Sequence, residues 1–406
     1  MAIGVTVAYM AKANVFPLFE TAMIRRGEYW RLVTSVLPHG GVMHLVFNVY
    51  WMWTLGTLIE ETYGPFRTGL LVIVLAAGSG AFQFGLESGG IGLSGVVYGL
   101  FGLLWVLEGK DPRFSGVIDK RTVQVFVGWF FFCIVLTYFN FMAVGNIAHG
   151  SGAVLGVLIG FASVESEYRK LASLGSVSVF LFGLWCATLG RPYVNFSRGG
   201  GYEEGEWGYD ALTNGRYEEA AHWFRDATIY RPKIAEFWYD LGMAEDRSNH
   251  PAESLAAYHK AADLDDAGAQ IMIGEKYQFG QDGLPKDDMQ AVAWYLKAAG
   301  EGSVEAQNRV AWLYATSTNP GVRNPVAALA YAQKAVAAEK EDADARILDT
   351  LAEAYYVNAK YSEAVKTEAQ AIASADPDEK KDFEERMKKY EMAAQGSKKP
   401  AKGAPR

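Results

Sequence analysis

In the stretch GLSGVVYGLFG, residues 92–102, one hydroxyl, that of Ser94, stands between two glycines at the head of an apolar run. A second polar side chain, His149, heads another apolar run, NIAHGSGAVLG, at about the same depth. A serine is a weak nucleophile until an adjacent base takes its proton, and a Ser/His pair supplies that base. Acyl-transfer chemistry also needs donors aimed at the developing oxyanion. His44 and Asn48 in HLVFN are spaced i, i+4, so both share one helix face and can point at one spot.

Each residue also has a plainer reading. A membrane histidine serves as an interhelical hydrogen-bond partner, and a helical serine bonds its own backbone. His44 and Asn48 read equally as a structural pair. Tyr98, four residues after Ser94, either packs on the imidazole or is ordinary helix packing. What favours chemistry is the joint pattern. Gly95 and Gly99 on the serine helix, and Gly152, Gly156 and Gly160 on the histidine helix, repeat at four-residue spacing and let two backbones approach closely.

The elements that must position these groups are apolar runs at 43–59, 68–86, 94–107, 123–142, 147–164 and 171–189, most approaching the roughly 20 residues that span a bilayer. Between 122 and 164 there is no Asp, Glu, Lys or Arg. Six membrane helices follow. The run at 2–13 contains Lys12 and lacks the features of a signal peptide, and it is too short for a full span. Lys110, Arg113, Lys120 and Arg121 after the third run, and Arg169 and Lys170 after the fifth, place those loops in the cytoplasm. Ser94 then starts its helix at the non-cytoplasmic end.

Charge divides the chain. Residues 1–190 hold 10 acidic and 11 basic side chains and residues 191–406 hold 36 and 27, so the second half is acidic and nothing resembles a nucleic-acid-binding face. Cys133 and Cys186 lie in apolar runs and offer neither a disulfide framework nor a metal or redox motif; no metal or cofactor is expected.

Taken together, GLSGVVYG with Ser94, AHGSG with His149, HGGVMHLVFN with His39, His44 and Asn48, and EYWRL with Trp30 and Arg31 resemble the rhomboid intramembrane serine proteases over about residues 14–165. The resemblance implies a six-helix core with a Ser/His dyad and no aspartate. Ser94 would be nucleophile and His149 general base. His44, Asn48 and the backbone around Gly92 would bind the oxyanion, and Tyr98 would stack on His149. His39 and Gly152 would support the site, with Trp30 and Arg31 in the membrane-embedded first loop. The sequence departs from the family in leaving about twelve residues for the first helix, which is read either as curtailed or as starting upstream of the given Met1, and in adding a span at 171–189.

Beyond the SRGGGYEEGE linker the pattern changes. Gly215, Tyr217, Ala220, Phe224, Ala227 and Pro232 have tetratricopeptide spacing, and Trp238, Leu241, Gly242, Tyr258 and Ala261 repeat it. Gly274, Tyr277, Gly280, Ala291, Trp294, Tyr295, Ala298, Ala299 and Gly302 resemble a Sel-type repeat, with weaker units near 306–339 and 349–375. These small and aromatic positions are read as the core of a solenoid, whose concave face suits a protein or peptide.

The expected fold is all-α: a polytopic membrane helical bundle followed by a soluble α-solenoid of about five helical-hairpin repeats. The expected division is a protease domain at 1–165, an extra span with flanks at 166–196, a linker at 197–206, repeats at 207–390 and a basic disordered tail at 391–406. The expected partners are the lipid bilayer, single-span membrane-protein substrates and a protein or peptide for the repeats, with no nucleic acid. The expected location is a bacterial inner membrane with the repeats on the non-cytoplasmic side. The alternative function is a catalytically inactive, membrane-anchored scaffold that binds transmembrane helices.

Overall fold

The computed structural model describes residues 1–12, 18, 21–87, 89–139, 141–142, 144–197, 199–339 and 343–398. The start of the first-loop region at 14–17 and the tail beyond 398 lie outside the described residues. All regular elements among the described residues are helices. The chain divides into two units, Met1–Glu203 and Glu204–Arg406.

The first unit opens with three short helices among its described residues, α1 (Ala2–Met10), α2 (Thr21–Arg25) and α3 (Arg31–Thr34). Six apolar helices follow: α4 (Val42–Tyr63), α5 (Pro65–Leu86), α6 (Ser94–Glu108), α7 (Lys120–Tyr138), α8 (Asn146–Ser163) and α9 (Arg169–Ala187), and then a single turn, α10 (Arg191–Val194). Five of the six are long and apolar enough to cross a membrane, and α6 is the short one. The α4–α5 corner is sharp because Gly64, at φ +82°, enters a region costly for other residues, and Pro65 follows at the first helical position, where its missing N–H is not needed.

With 15 residues, α6 is about 22 Å long against a hydrocarbon layer of roughly 30 Å. It is the interior helix: every residue from 95 to 104 is buried, and Val96, Leu100 and Leu104 pack with Leu55, Ile59, Leu75 and Leu155. Ser94 is its first residue. By contrast α7 buries only Phe126 and Cys133 and turns Trp129, Phe131, Phe132 and Val135 outward, as a lipid-facing helix should. Asp119 caps it by accepting from Thr122 N–H at 2.7 Å.

The α6–α8 contact is backbone against backbone. A Cβ at Gly152 would overlap the Gly95 carbonyl oxygen, one at Gly156 would overlap that of Gly99, and one at Gly102 would lie 2.5 Å from the Ala153 carbonyl oxygen. The four-residue spacing read from the sequence therefore marks a true seam. At the far side of α5, Gly85 lies as closely against the backbone of Cys186 and Ala187 at the end of α9. So α9 finishes at the end of the bundle from which the chain turns toward Ser94.

The second unit contains five antiparallel hairpins among its described residues: α11 (Tyr202–Thr213) with α12 (Tyr217–Tyr230), α13 (Ala235–Arg247) with α14 (Pro251–Ala262), α15 (Ala267–Phe279) with α16 (Asp288–Gly300), α17 (Val304–Thr316) with α18 (Pro325–Glu339) and α19 (Ala345–Val357) with α20 (Tyr361–Ser374). A last helix, α21 (Pro377–Lys398), packs on α20. In the first three hairpins a glycine on the first helix receives an aromatic ring from the second: Gly208 with Phe224, Gly242 with Tyr258 and Gly274 with Tyr295. In the fourth, Ala311, Ala315, Ala328 and Ala332 take over the small positions. The expected linker at 197–206 overlaps the start of α11. The tail expected as disordered from 391 begins inside α21, where Arg386, Lys389 and Tyr390 bond to Asp349 and Glu353 of α19 and hold the helix in place.

Two stability outcomes follow. Gly156→Ala forces a methyl group into a carbonyl and should lower the melting temperature of the detergent-solubilised protein, because overpacking costs about 1–3 kcal/mol. Gly128→Ala, where nothing lies within 4 Å, should leave it unchanged or raised. Asp240 on α13 has its carboxyl pushed up to about 7 by burial, with Glu236 and Asp266 adding repulsion. The folded chain thus keeps a proton that the unfolded chain releases between about pH 4 and 7, so this group's contribution falls as pH rises through that window. Asp240→Asn should raise the melting temperature by a few degrees at pH 8 and leave it unchanged at pH 4.

Candidate active site

Ser94 is the first residue of α6, with Leu93 as N-cap. The opening amides of a helix have no intrahelical acceptor, and the Ser94 N–H has no partner among the described residues. Next to it, Gly92 sits at φ +110°, and a Cβ there would lie 2.7 Å from Cε1 of His44 and 3.3 Å from Cδ2 of His39. Only glycine fits. Its own N–H donates to the Ser35 carbonyl at 3.1 Å, so the Gly92 amide is already committed and Ser94 holds the open one.

His39, fully buried, holds this loop. Leu93 N–H donates to its Nε2 at 3.3 Å. An Nε2 that accepts leaves the proton on Nδ1, which lies 3.1 Å from the Leu37 carbonyl and 3.2 Å from Thr6 Oγ1 of α1. His44, in the first turn of α4, meets His39 edge-on with ring centroids 4.9 Å apart. One turn later Asn48, 2% exposed, donates from Nδ2 to the His44 carbonyl at 3.0 Å. His44 and Asn48 therefore share a face, as their spacing requires.

His149 lies in the first turn of α8, 3% exposed. The ring of Tyr98 stacks on it at 4.6 Å and 22°, and Tyr98 is itself fixed by its hydroxyl, which donates to the Phe126 carbonyl at 3.0 Å, and by Phe126 edge-on at 5.3 Å. Nδ1 of His149 is buried without a partner among the described residues. The residues flanking the pair touch: a Cβ on Gly95 would lie 3.2 Å from the Ala148 carbonyl oxygen. No hydrogen bond joins Ser94 to His149. Apo sites often have loose catalytic hydrogen bonds that tighten with substrate.

Trp30 and Arg31 sit apart from this centre, at the start of α3. Arg31 is buried, pairs with Glu28 at 2.6 Å and lies 4.6 Å over the half-exposed Trp30 ring. They brace a loop that packs on α5, where a Cβ on Gly80 would meet the Leu32 carbonyl at 2.7 Å.

Three further residues belong to the site and were not singled out from sequence. Ser35 and Thr6 hold the Gly92 loop and His39. Gln83 of α5, 4% exposed, accepts from Ala148 N–H at 3.1 Å and donates from Nε2 to Glu87 at 2.9 Å, capping the helix that carries His149. A glutamine in an apolar run costs free energy unless it is paired, and that signal was available in residues 68–86.

The arrangement sets a hydroxyl with an adjacent open amide on one helix, an imidazole clamped by a tyrosine on a helix in backbone contact, and two side-chain donors from a third helix. These are the parts of an acyl-transfer site.

Residues 26–166 match the Rhomboid domain family, and residues 267–303 and 304–339 match the Sel1 repeat. Among solved structures, a tetratricopeptide protein from Thermus thermophilus is similar at 20% identity over 48% of this chain and 99% of that one, with TM-score 0.32. A Sel1 repeat protein from Oxalobacter formigenes is similar at 19% identity over 57% and 98%, with TM-score 0.36. Yeast Tom70 is similar at 11% identity over 98% and 88%, with TM-score 0.39. The six apolar helices of the first unit thus belong to a Rhomboid domain of an integral membrane protein, and the helical hairpins of the second unit include Sel1 repeats.

Proposed function

We propose that this protein is an intramembrane serine endopeptidase, with Ser94 as nucleophile and His149 as general base. The observation that carries the reading is the pairing across the α6–α8 seam of a helix-initial serine with an open N–H and a tyrosine-stacked, buried imidazole. In the reaction, Ser94 Oγ attacks the scissile carbonyl carbon and its proton passes to His149. The tetrahedral oxyanion is held by Ser94 N–H, His44 and the Asn48 amide. Collapse of the intermediate expels the amine, which takes the proton from His149. Water, deprotonated by His149, then cleaves the acyl-enzyme and restores the serine. Substrates are single-span membrane proteins whose helix unwinds locally, since a helix hides its carbonyls in internal hydrogen bonds.

A second reading, an inactive scaffold that binds transmembrane helices, draws on the missing Ser94–His149 hydrogen bond. Fluorophosphonate labelling separates the two. The protease reading expects labelling of the wild type, loss of it in Ser94→Ala, and loss of cleavage of a model transmembrane substrate in both Ser94→Ala and His149→Ala with the fold retained. Cleavage by either folded variant would sink it. Asn48→Ala should retain activity reduced roughly 10²- to 10³-fold, the usual cost of losing one oxyanion donor.

The membrane is a bacterial inner membrane, and the repeats bind a protein or peptide on its non-cytoplasmic side. The reading is supported by two basic loops, after α6 and after α8, on what would be the cytoplasmic side by the positive-inside tendency, with α9 as one further crossing. Lys233→Cys in a Cys133/Cys186-free background should react with a membrane-impermeant maleimide in spheroplasts; labelling only after lysis would put the repeats in the cytoplasm.

A further inference from the structure

The C-terminal end of α5 is finished by residues more than a hundred positions later in the chain. A helix leaves its last carbonyls without intrahelical donors. Here Phe84 accepts from Arg191 Nε at 3.2 Å, Gly85 accepts from Asn195 Nδ2 at 3.2 Å, and Leu86 accepts from Phe196 N–H at 2.9 Å. Asn195 Nδ2 also donates to the Glu87 carbonyl. The fit is specific. The Arg191 side chain is wholly buried, its guanidinium lies 4.6 Å over the Phe84 ring and 3.5 Å from the Glu203 carboxylate, and Asn195 Oδ1 is fixed by Ser197 N–H at 3.0 Å.

The same helix end reaches the candidate base. The Glu87 carboxylate accepts from Gln83 Nε2 at 2.9 Å, and Gln83 Oε1 accepts from Ala148 N–H, the amide next to His149. Glu87 is therefore gripped from both sides, by Asn195 through its carbonyl and by Gln83 through its carboxylate.

We propose that residues 191–196 form a clasp on α5 in which Arg191 and Asn195 act as positioning residues for His149, through Glu87 and Gln83. The proposal rests on the Ser94/His149 reading. Neither residue touches substrate. Each sets where the first turn of α8 lies, and so where the imidazole stands relative to Ser94. The extra span α9 is then part of the catalytic apparatus, since it delivers the clasp to that end of the bundle.

The test uses the full chain in proteoliposomes with a model transmembrane substrate and compares Asn195→Ala, Arg191→Lys, Gln83→Ala and the Asn195→Ala/Gln83→Ala double variant. Each single variant should lower kcat on the order of 10- to 100-fold with KM unchanged, the scale of a small misplacement of a reacting group. The double variant should be no slower than the slower single, because both break one chain of contacts. Multiplied losses in the double variant, or an unchanged kcat in Asn195→Ala, would overturn the clasp. A second measurement is independent of activity: hydrogen exchange in the Ser94→Ala background. Adding Asn195→Ala should speed exchange at Ala148 and His149 while amides at the other end of α8 stay protected; unchanged exchange at those two amides overturns the clasp even if the wild type proves inactive, and a wild type that fails to label with fluorophosphonate overturns the protease reading alone.

Discussion

The bundle depends on two backbones touching. Where Gly152 meets Gly95 and Gly156 meets Gly99, no side chain separates α6 from α8, and carbonyl oxygens rest against α-carbons. Between helices in lipid the hydrophobic effect supplies little, because the tails are as apolar as leucine, so association rests on close packing and weak Cα–H···O contacts. Such packing is steep in distance. One methyl group in the seam displaces a helix, and the helices it would displace carry Ser94 and His149 in their first turns. The tolerance of the site is therefore set by the glycines one turn below it.

A second constraint is the cost of polar groups in an apolar surround. The first unit meets it by giving the buried polar atoms at the site partners from distant parts of the chain. His39 is held by Thr6, Leu37 and Leu93, and Gly92 by Ser35. Ala148 is held by Gln83, and the end of α5 by Arg191 and Asn195. Against this background Nδ1 of His149 stands out, because it is buried and has no partner among the described residues. The Tyr98 ring, itself fixed through Phe126, stacks on that imidazole and holds its orientation.

The sequence made the bundle legible because apolar length and glycine spacing are local signals: six runs became six apolar helices, and four-residue glycine repeats marked the α6–α8 seam. The candidate residues drew attention for the same reason, since Ser94, His149, His44 and Asn48 are polar where polarity is expensive. The supporting contacts were not. Thr6 with His39 and Arg191 with Phe84 join positions 33 and 107 residues apart, and no spacing rule links them. Gln83 was visible as an intramembrane amide, but its partner on α8 was not. In the repeats, Gly242 with Tyr258 and Gly274 with Tyr295 gave a pattern, whereas the fourth hairpin uses alanines in place of the glycine–aromatic pair, so its unit reads weakly from spacing although residues 304–339 match the Sel1 repeat. Composition also misled at the C-terminus: residues 391–398 look like the start of a basic tail, yet the charges just before them, Arg386 and Lys389, are spent on Asp349 and Glu353, and the helix runs on.

The short length of α6 ties these constraints together. A helix of about 22 Å inside a layer of roughly 30 Å cannot present both ends at the surface. Its opening amide, that of Ser94, has no partner among the described residues and needs something polar to face. The rest of the helix is closed in by α4, α5 and α8, and every residue from 95 to 104 is buried. The seam glycines and the short α6 thus act at one place, since both bear on the first turn that carries Ser94.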